Sequence, residues 1–231
     1  MAMGFPARLF SVILRVSPGR IRNWMWKWWY QRLAKAHHRS DFRFMNYGYK
    51  DDKGPKLSRE DEPNRLFIQL YHMNIRDIDL QGREVLEVGS GRGGGASWIA
   101  KYCEPESLVG VDFSKEAVRL SRKWYSEQEN LSFIEGNAES LPINDSAFDV
   151  VYNVESSHCY GNMRAFAGEV NRVLRAGGHF CWTDFRDEET MQKVQSIFVD
   201  SGFKLVSKKE ITREVLAALD EINEAKIEQI R

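Results

Sequence analysis

The sequence predicts an α/β fold built on a doubly wound, mainly parallel sheet. Three observations carry that prediction. From residue 84 onward, short β-branched apolar runs alternate with stretches whose apolar residues recur at helical spacing, the pattern of strands joined by crossover helices. The first of these runs leads straight into a glycine-rich turn, EVLEVGSGRGGG over 84–95. Polar residues then close the next strands, Asp112 in GVDFS and Asn137 in EGNAES, where open sheets of this kind collect their ligands.

Taken in order, about 80 residues precede the sheet. The run LFSVIL is far shorter than the roughly 18 residues of a membrane-spanning helix and is closed by Arg15. Ser17-Pro18-Gly19 breaks that stretch. RIRNWMWKWWYQRLAKA then restarts a helical pattern with Ile21, Trp24, Met25 and Trp28, and EPNRLFIQLYHMN predicts a second helix. Six strands follow: EVLEV, SLVGV, LSFIE, FDVVYNV, GHFCWTDF and FKLVSKKE. Between them GGGASWIAKYC, SKEAVRLSRKWY, MRAFAGEVNRVL and EETMQKVQSIFVDSG read as helices, with Gly177-Gly178 and Gly202 supplying turns. ITREVLAALDEINEAKIEQIR closes the chain as a helix. The expected organisation is a basic, Trp-rich helical cap or lid over 1–80, a ligand-binding core over 81–209, and the start of a C-terminal helical cap over 210–231.

With 231 residues and 42% hydrophobic content, the chain can bury one substantial core. Cys103, Cys159 and Cys181 form no C-x-x-C pair, so neither a disulfide framework nor a zinc site is expected, and a cytoplasmic setting fits. His37-His38 lies in a basic stretch and predicts no metal site either. Net charge is zero, but residues 1–50 carry ten Lys or Arg against Asp41 alone, so a segment of +9 faces a remainder of −9. Trp24, Trp26, Trp28 and Trp29 among these cations fit two readings. Residues 1–36 form an interfacial helix on an anionic membrane, making the protein peripheral, or the indoles pack as a lid over the core. Nucleic acid is not an expected partner, because the rest of the chain is acidic and no recognition motif occurs.

The glycine turn lets a ligand approach backbone N–H groups at a helix start. Gly89, Gly91 and Gly94 also satisfy the G-x-G-x-x-G spacing of dinucleotide enzymes, so the turn alone does not choose the ligand. Glu87, two residues ahead of the first glycine, would repel a pyrophosphate and attract an ammonium, directly or through water. Asp112 is placed to accept both hydroxyls of a ribose. S-adenosylmethionine carries an ammonium, a ribose and an adenine in that order, and no phosphate.

Glu87, Gly89, Gly91 and Gly93 spell E-x-G-x-G-x-G, and here the chain resembles the class I S-adenosylmethionine-dependent methyltransferases. The resemblance implies their Rossmann-like sheet, with the loop residues Glu87, Gly89, Ser90, Gly91 and Gly93 at the cofactor and Asp112 on its ribose. It further implies Phe113 beside the adenine, Asn137, Ala138 and Glu139 along the adenine edge, and backbone groups of Asn153 at the methionine moiety. Asn137 stands where most relatives have Asp; its amide oxygen still accepts a hydrogen bond from the adenine amino group. The seven-stranded sheet of the family would end in an antiparallel strand, and nothing after FKLVSKKE reads as one.

FRFMNYGY, EDEPNRLFIQLYH, NVESSHCY, VNRVLRAGGHF and ITREVL resemble segments of the phthiotriolone and phenolphthiotriolone dimycocerosate O-methyltransferases, over most of 41–220. That resemblance implies methylation of a hydroxyl on a hydrophobic or lipid-like small molecule. It also implies His158, after the fourth strand, as the base and Asp184, after the fifth, as its assistant. His158 equally fits a helix-capping role and Asp184 a plain helix cap. N- or C-methylation, or a catalytically weak cofactor-binding or partner protein, stays open beside O-methylation. His72 and His179 read as structural.

Overall fold

The structure, a computed structural model, describes residues 43–228. The expectations placed on residues 1–36, including the tryptophan-rich helix, lie outside the described residues. Five strands form: β1 Glu84–Val88, β2 Ser107–Asp112, β3 Leu131–Glu135, β4 Phe148–Val154 and β5 Leu174–Thr183. All pairs are parallel, in the order β3-β2-β1-β4-β5. The helices are α1 Arg65–Ile75, α2 Gly94–Tyr102, α3 Lys115–Trp124, α4 Met163–Val173, α5 Glu188–Asp200 and α6 Thr212–Glu228.

Strand periodicity divides the core between two faces. Val85 of β1 and Val150, Tyr152 and Val154 of β4 join Ile68 and Leu70 of α1, Ala96, Trp98 and Ile99 of α2, and Val118 of α3. Leu86 and Val88, with Val111 and Val151, join Phe166 and Val170 of α4, and Phe198 of α5 packs against them. A strand covered on both faces reads as a continuous apolar run, which is why FDVVYNV lacks alternation: six of its seven residues are buried. Side chains fix where the helices start. Ser114 Oγ accepts from Ala117 N at 3.3 Å, Asn162 Oδ1 from Ala165 N at 3.0 Å and Asp187 Oδ1 from Thr190 N at 2.7 Å, each cap contributing about 1 kcal/mol.

The sixth strand expected over 203–210 does not form. Phe203 packs against Phe180 and Phe198, but Leu205 and Val206 are 53% and 84% exposed. A strand forms where a neighbour satisfies its ladder, and among the described residues no strand lies along this segment. No helix among those residues is long and apolar enough to cross a membrane.

Residues 43–50 run as a strap across the end of the sheet. Phe44 and Tyr49 are buried in the core, Tyr49 N donates to Leu66 O at 2.9 Å, and Lys50 N donates to Glu214 O at 3.1 Å at the start of α6. The strap passes so close to α2 that a Cβ on Gly94 would lie 2.7 Å from Arg43 O, and α1 packs so close on the other glycine that a Cβ on Gly95 would enter the Tyr71 ring. Gly95→Ala is therefore expected to lower stability by about 1–3 kcal/mol through overpacking. Gly168→Ala in α4, where the added methyl meets nothing within 4 Å, should be neutral or stabilising by up to about 1 kcal/mol. Urea unfolding of the two variants checks the contrast; equal stabilities would contradict this packing.

Candidate active site

The chain runs outward from β1 to β3, then returns to lay β4 beside β1 on the other side. Connections on either side of that reversal diverge, which opens a crevice at the carboxyl ends of the strands. A cavity occupies it, lined by the turn after β1, by the ends of β2 to β4 and by Arg43, Met45 and Asn46 of the strap.

The turn after β1 forms one wall. Gly89 has φ +81°, and a Cβ there would collide with Ser156 Oγ, so only glycine lets this turn abut the turn after β4. Gly91, with φ +53°, leaves its cavity side open: the nearest atom to an added Cβ is Met45 Sδ at 3.4 Å. Between them Ser90 Oγ is buried without a hydrogen-bond partner. Gly93 is the left-handed N-cap of α2. Gly91 N donates to Asp112 Oδ2 at 2.8 Å, and Ser114 N donates to Asp112 Oδ1 at 2.8 Å. Burial raises the Asp112 carboxyl to about 6 against the pull of these N–H groups. Phe113 stands 42% exposed on the rim. After β3, Asn137 Oδ1 accepts from Glu139 N at 3.0 Å. Glu139 Oε1 accepts from Gly161 N at 2.7 Å and Asn162 N at 3.2 Å, binding the far wall to the start of α4. Ala138 lines the cavity between them.

The turn after β4 carries most of the charge. Glu155 holds a left-handed φ of +44°, a conformation that costs a non-glycine residue on the order of 1–3 kcal/mol. Its N–H extends the sheet by donating to Thr183 O at 2.8 Å, and its Oε2 accepts from Tyr47 N of the strap at 2.7 Å. Burial lifts its carboxyl to about 7; the Tyr47 N–H and His158 oppose the shift and Asp184 adds to it. His158 Nδ1 lies 2.8 Å from Asp184 Oδ1. The buried Asp184 also accepts from His158 N at 2.8 Å, Ser157 Oγ at 2.6 Å and Phe185 N at 2.9 Å, and pairs with Arg186 at 3.1 Å. Burial works against both charges of this pair. It is outweighed by the hydrogen bonds between them, so His158 rises to about 9, with Cys159 contributing, and Asp184 falls below the usual carboxylate range. The Phe185 ring lies 4.3 Å from the imidazole and 5.4 Å from Tyr47, and both outer rings are 46% exposed.

Eight of the residues expected from the sequence meet at this cavity, and five do not line it: Gly93 at the start of α2, Asp184 behind His158, and Glu87, Asn153 and His158. Glu87 shares a strand face with Val85, so it points beneath α1, fully buried, where Tyr152 Oη donates to its Oε2 at 3.0 Å. Burial raises it to about 8, against the hydroxyls of Tyr152 and Tyr71, leaving a mostly neutral acid rather than a carboxylate facing an ammonium. Asn153 is fully buried as well, and its backbone belongs to the β4–β5 ladder opposite Trp182. Its side-chain nitrogen lies 2.7 Å from Val88 O, 2.7 Å from Ser156 Oγ and 3.1 Å from Tyr160 Oη, so it ties the two turns together from below. His158 sits beside the cavity, behind Glu155 and Cys159, which do line it. The sequence reading missed Glu155, Tyr47 and Phe185. Glu155 stands directly behind the fourth strand in NVESSHCY, the one signal that marks it.

Residues 86–182 match a methyltransferase domain family. The chain is 36% identical over 215 residues to the phthiotriol/phenolphthiotriol dimycocerosates methyltransferase of Mycobacterium tuberculosis, covering 92% of this chain and 79% of that one. It belongs to the S-adenosylmethionine-dependent methyltransferases. It is also 39% identical to a fatty-acid O-methyltransferase of Mycolicibacterium smegmatis, over 83% of this chain and 70% of that one. A SAM-dependent methyltransferase from Aquifex aeolicus shares the fold, with a TM-score of 0.57 and 20% identity over 68% of this chain and 94% of its own.

The cofactor of this methyltransferase is S-adenosylmethionine, and the cavity suits it. Gly91 offers a surface free of Cβ, Ser90 a buried hydroxyl with a bond to give, and Asp112 a carboxyl held by two N–H groups. The His158–Asp184 pair supplies a measurable property of its own. In an NMR titration the His158 imidazole should lose its proton well above the ordinary value of about 6.5, near 9, and Asp184→Asn should bring that midpoint down by at least one pH unit. An unshifted His158 in the parent protein would contradict the pairing.

Proposed function

We propose that this methyltransferase methylates a hydroxyl group on a hydrophobic, lipid-like small molecule. The observation that carries the reading is the His158 Nδ1 to Asp184 contact of 2.8 Å, set beside two half-exposed aromatic rings, Phe185 against the imidazole and Tyr47 against Phe185. Alcohols need a base, and apolar acceptors need an apolar landing surface; both stand together here. The names of the two mycobacterial relatives support a lipid-like acceptor, and that of the second supports methylation on oxygen.

When bound, S-adenosylmethionine supplies a methyl group on a cationic sulfur, which an acceptor oxygen takes in line as the C–S bond breaks. The chain's own residues do the rest. Gly89, Ser90, Gly91 and Gly93 shape the loop that receives the methionine portion, Asp112 accepts the ribose hydroxyls, and Phe113, Asn137, Ala138 and Glu139 enclose the adenine. Glu87 and Asn153 act from beneath the loop, holding its shape. Asp184 takes the hydrogen bond of Nδ1, which leaves Nε2 of neutral His158 as the proton acceptor for the hydroxyl. Asp184 then stabilises the imidazolium, while Tyr47 and Phe185 hold the acceptor's apolar body and keep water away.

Asp112→Ala should weaken cofactor binding by about 1–3 kcal/mol through loss of charge-assisted bonds. His158→Ala should leave that affinity nearly unchanged and lower turnover by roughly 10²–10⁴-fold. In the parent enzyme kcat should rise with pH as His158 deprotonates, with a midpoint above about 6.5, and Asp184→Asn should move that rise to lower pH with a lower plateau. Calorimetry and methyl-transfer kinetics on a lipid extract, run on one preparation, check these outcomes. Full turnover by His158→Ala would end the base assignment.

Residues 1–36 are proposed to bring the enzyme to an anionic membrane surface, a reading supported by their tryptophans and excess of basic residues. The protein should co-sediment with anionic vesicles and be released by salt, and removal of 1–36 should abolish this. Equal binding to neutral vesicles, or none, would leave the lid reading.

A further inference from the structure

We propose that Glu155 is the charge partner of the cofactor's cationic methionine end. This rests on S-adenosylmethionine lying along the cavity with its adenine at β3 and its ribose at β2. The strand order β3-β2-β1-β4 then sends the methionine portion, with its ammonium and sulfonium, past the glycine turn to the end of β4, where Glu155 stands on the cavity wall.

The other acids are committed elsewhere. Both oxygens of Asp112 take backbone N–H groups, and Glu139 holds the start of α4. Asp184 is saturated by His158, Ser157, Phe185 and Arg186. Glu87, the acid the sequence offers for the ammonium, lies off the wall beneath Tyr152. Among the described residues Glu87 Oε1 and Glu139 Oε2 also carry no hydrogen bond, but Glu87 is off the wall and Glu139 stands at the β3 end, beside the adenine. Glu155 combines an open Oε1, its Oε2 being taken by Tyr47 N, with a place on the cavity wall at the end of β4.

The backbone at Glu155 is strained in the left-handed region, yet the side chain there is not the small or turn-forming residue that would relieve it. Strain retained under a buried carboxyl that faces a ligand cavity points to a role for that carboxyl. Burial in the absence of a cation holds Glu155 near the middle of its titration at neutral pH. A cation brought against Oε1 favours the carboxylate, so binding should expel a proton. Tyr47 of the strap and Tyr71 of α1 are neutral phenols with raised values, and His158 and Arg186 pair with Asp184. Arg43 of the strap and Arg92 of the glycine turn also line the cavity, and neither is among the groups that shift the Glu155 carboxyl, where His158 is the cation that opposes its rise.

Isothermal titration of S-adenosylmethionine and S-adenosylhomocysteine, between about pH 6 and pH 8 in two buffers of different ionisation heat, tests the assignment. Wild-type protein should release a proton on binding S-adenosylmethionine, with affinity rising as pH increases through about 7. Glu155→Gln keeps an oxygen for the Tyr47 N–H, so the strap stays in place. It should lose that pH-dependent step and bind S-adenosylmethionine roughly 10–100-fold more weakly. An equal loss for S-adenosylhomocysteine assigns Glu155 to the ammonium, and a loss confined to S-adenosylmethionine assigns it to the sulfonium; either supports the proposal. Asp112 and Glu87 also titrate in this range, and the difference between wild type and Glu155→Gln isolates Glu155 from them. Unchanged affinity and unchanged proton release in the variant overturn the proposal alone. Failure of the wild-type protein to bind either sulfur compound overturns the cofactor-site reading beneath it.

Discussion

The side chain of Asn153 holds together the two turns on which the site depends. β1 and β4 are neighbours, but the chain leaves them in opposite directions, and the turns that follow would separate without a tie. One amide nitrogen reaches the last carbonyl of β1 and two hydroxyls of the turn after β4. The tie works only because Gly89 has no Cβ; any other residue would push Ser156 away. The glycine loop and the turn after β4 are therefore one packed unit.

Two electrostatic regimes meet across that junction. On the cofactor side, burial raises the carboxyls of Asp112 and Glu155, so without a ligand this wall carries less negative charge than its composition implies. On the acceptor side, Asp184 is held ionised by His158, Arg186 and hydroxyl and amide donors, and it holds His158 charged in return. A wall that titrates near neutrality suits a ligand that arrives with positive charge and leaves with less. A fixed carboxylate behind an imidazole suits a proton that must be taken and returned. The same residue type serves both ends because desolvation dominates at one and donors dominate at the other.

Much of this was legible in the sequence, and the limits are physical. Glycines and a strand-end aspartate mark a cofactor site because they are local: the turn, the helix start and Asp112 lie within a short stretch and need no knowledge of distant packing. His158 and Asp184 were legible through resemblance, while their 2.8 Å contact depends on the pairing of β4 with β5. Glu87 misled for a related reason. Its position in E-x-G-x-G-x-G reads as a strand-end acid at the cofactor's ammonium, directly or through water, but the two-residue period of β1 turns its side chain under α1. FKLVSKKE misled because strand propensity describes a half-buried pleated surface, and Leu205 and Val206 have none beside them. Tyr47 and Phe185 lie 138 residues apart in the chain and meet only through the fold, beside His158.

The strap joins these levels. Arg43, Met45 and Asn46 line the cofactor cavity, Tyr47 N is held by Glu155, and the Tyr47 ring rests on Phe185, which rests on His158. One short segment thus borders the cofactor, the acid at the end of β4 and the aromatic mouth. Its position is fixed at one end by Arg43 against Gly94 of α2 and at the other by Tyr49 and Lys50, bonded to Leu66 and to the start of α6. Its placement over the cavity therefore depends on contacts with three separate parts of the chain. A carboxylate bonds the Tyr47 N–H more strongly than a protonated acid does, so the charge state of Glu155 bears on how firmly the strap is held. Through Tyr47 and Phe185 it bears in turn on the His158 imidazole, against which Phe185 packs. Charge at the cofactor wall and packing at the acceptor mouth are coupled through a single hydrogen bond.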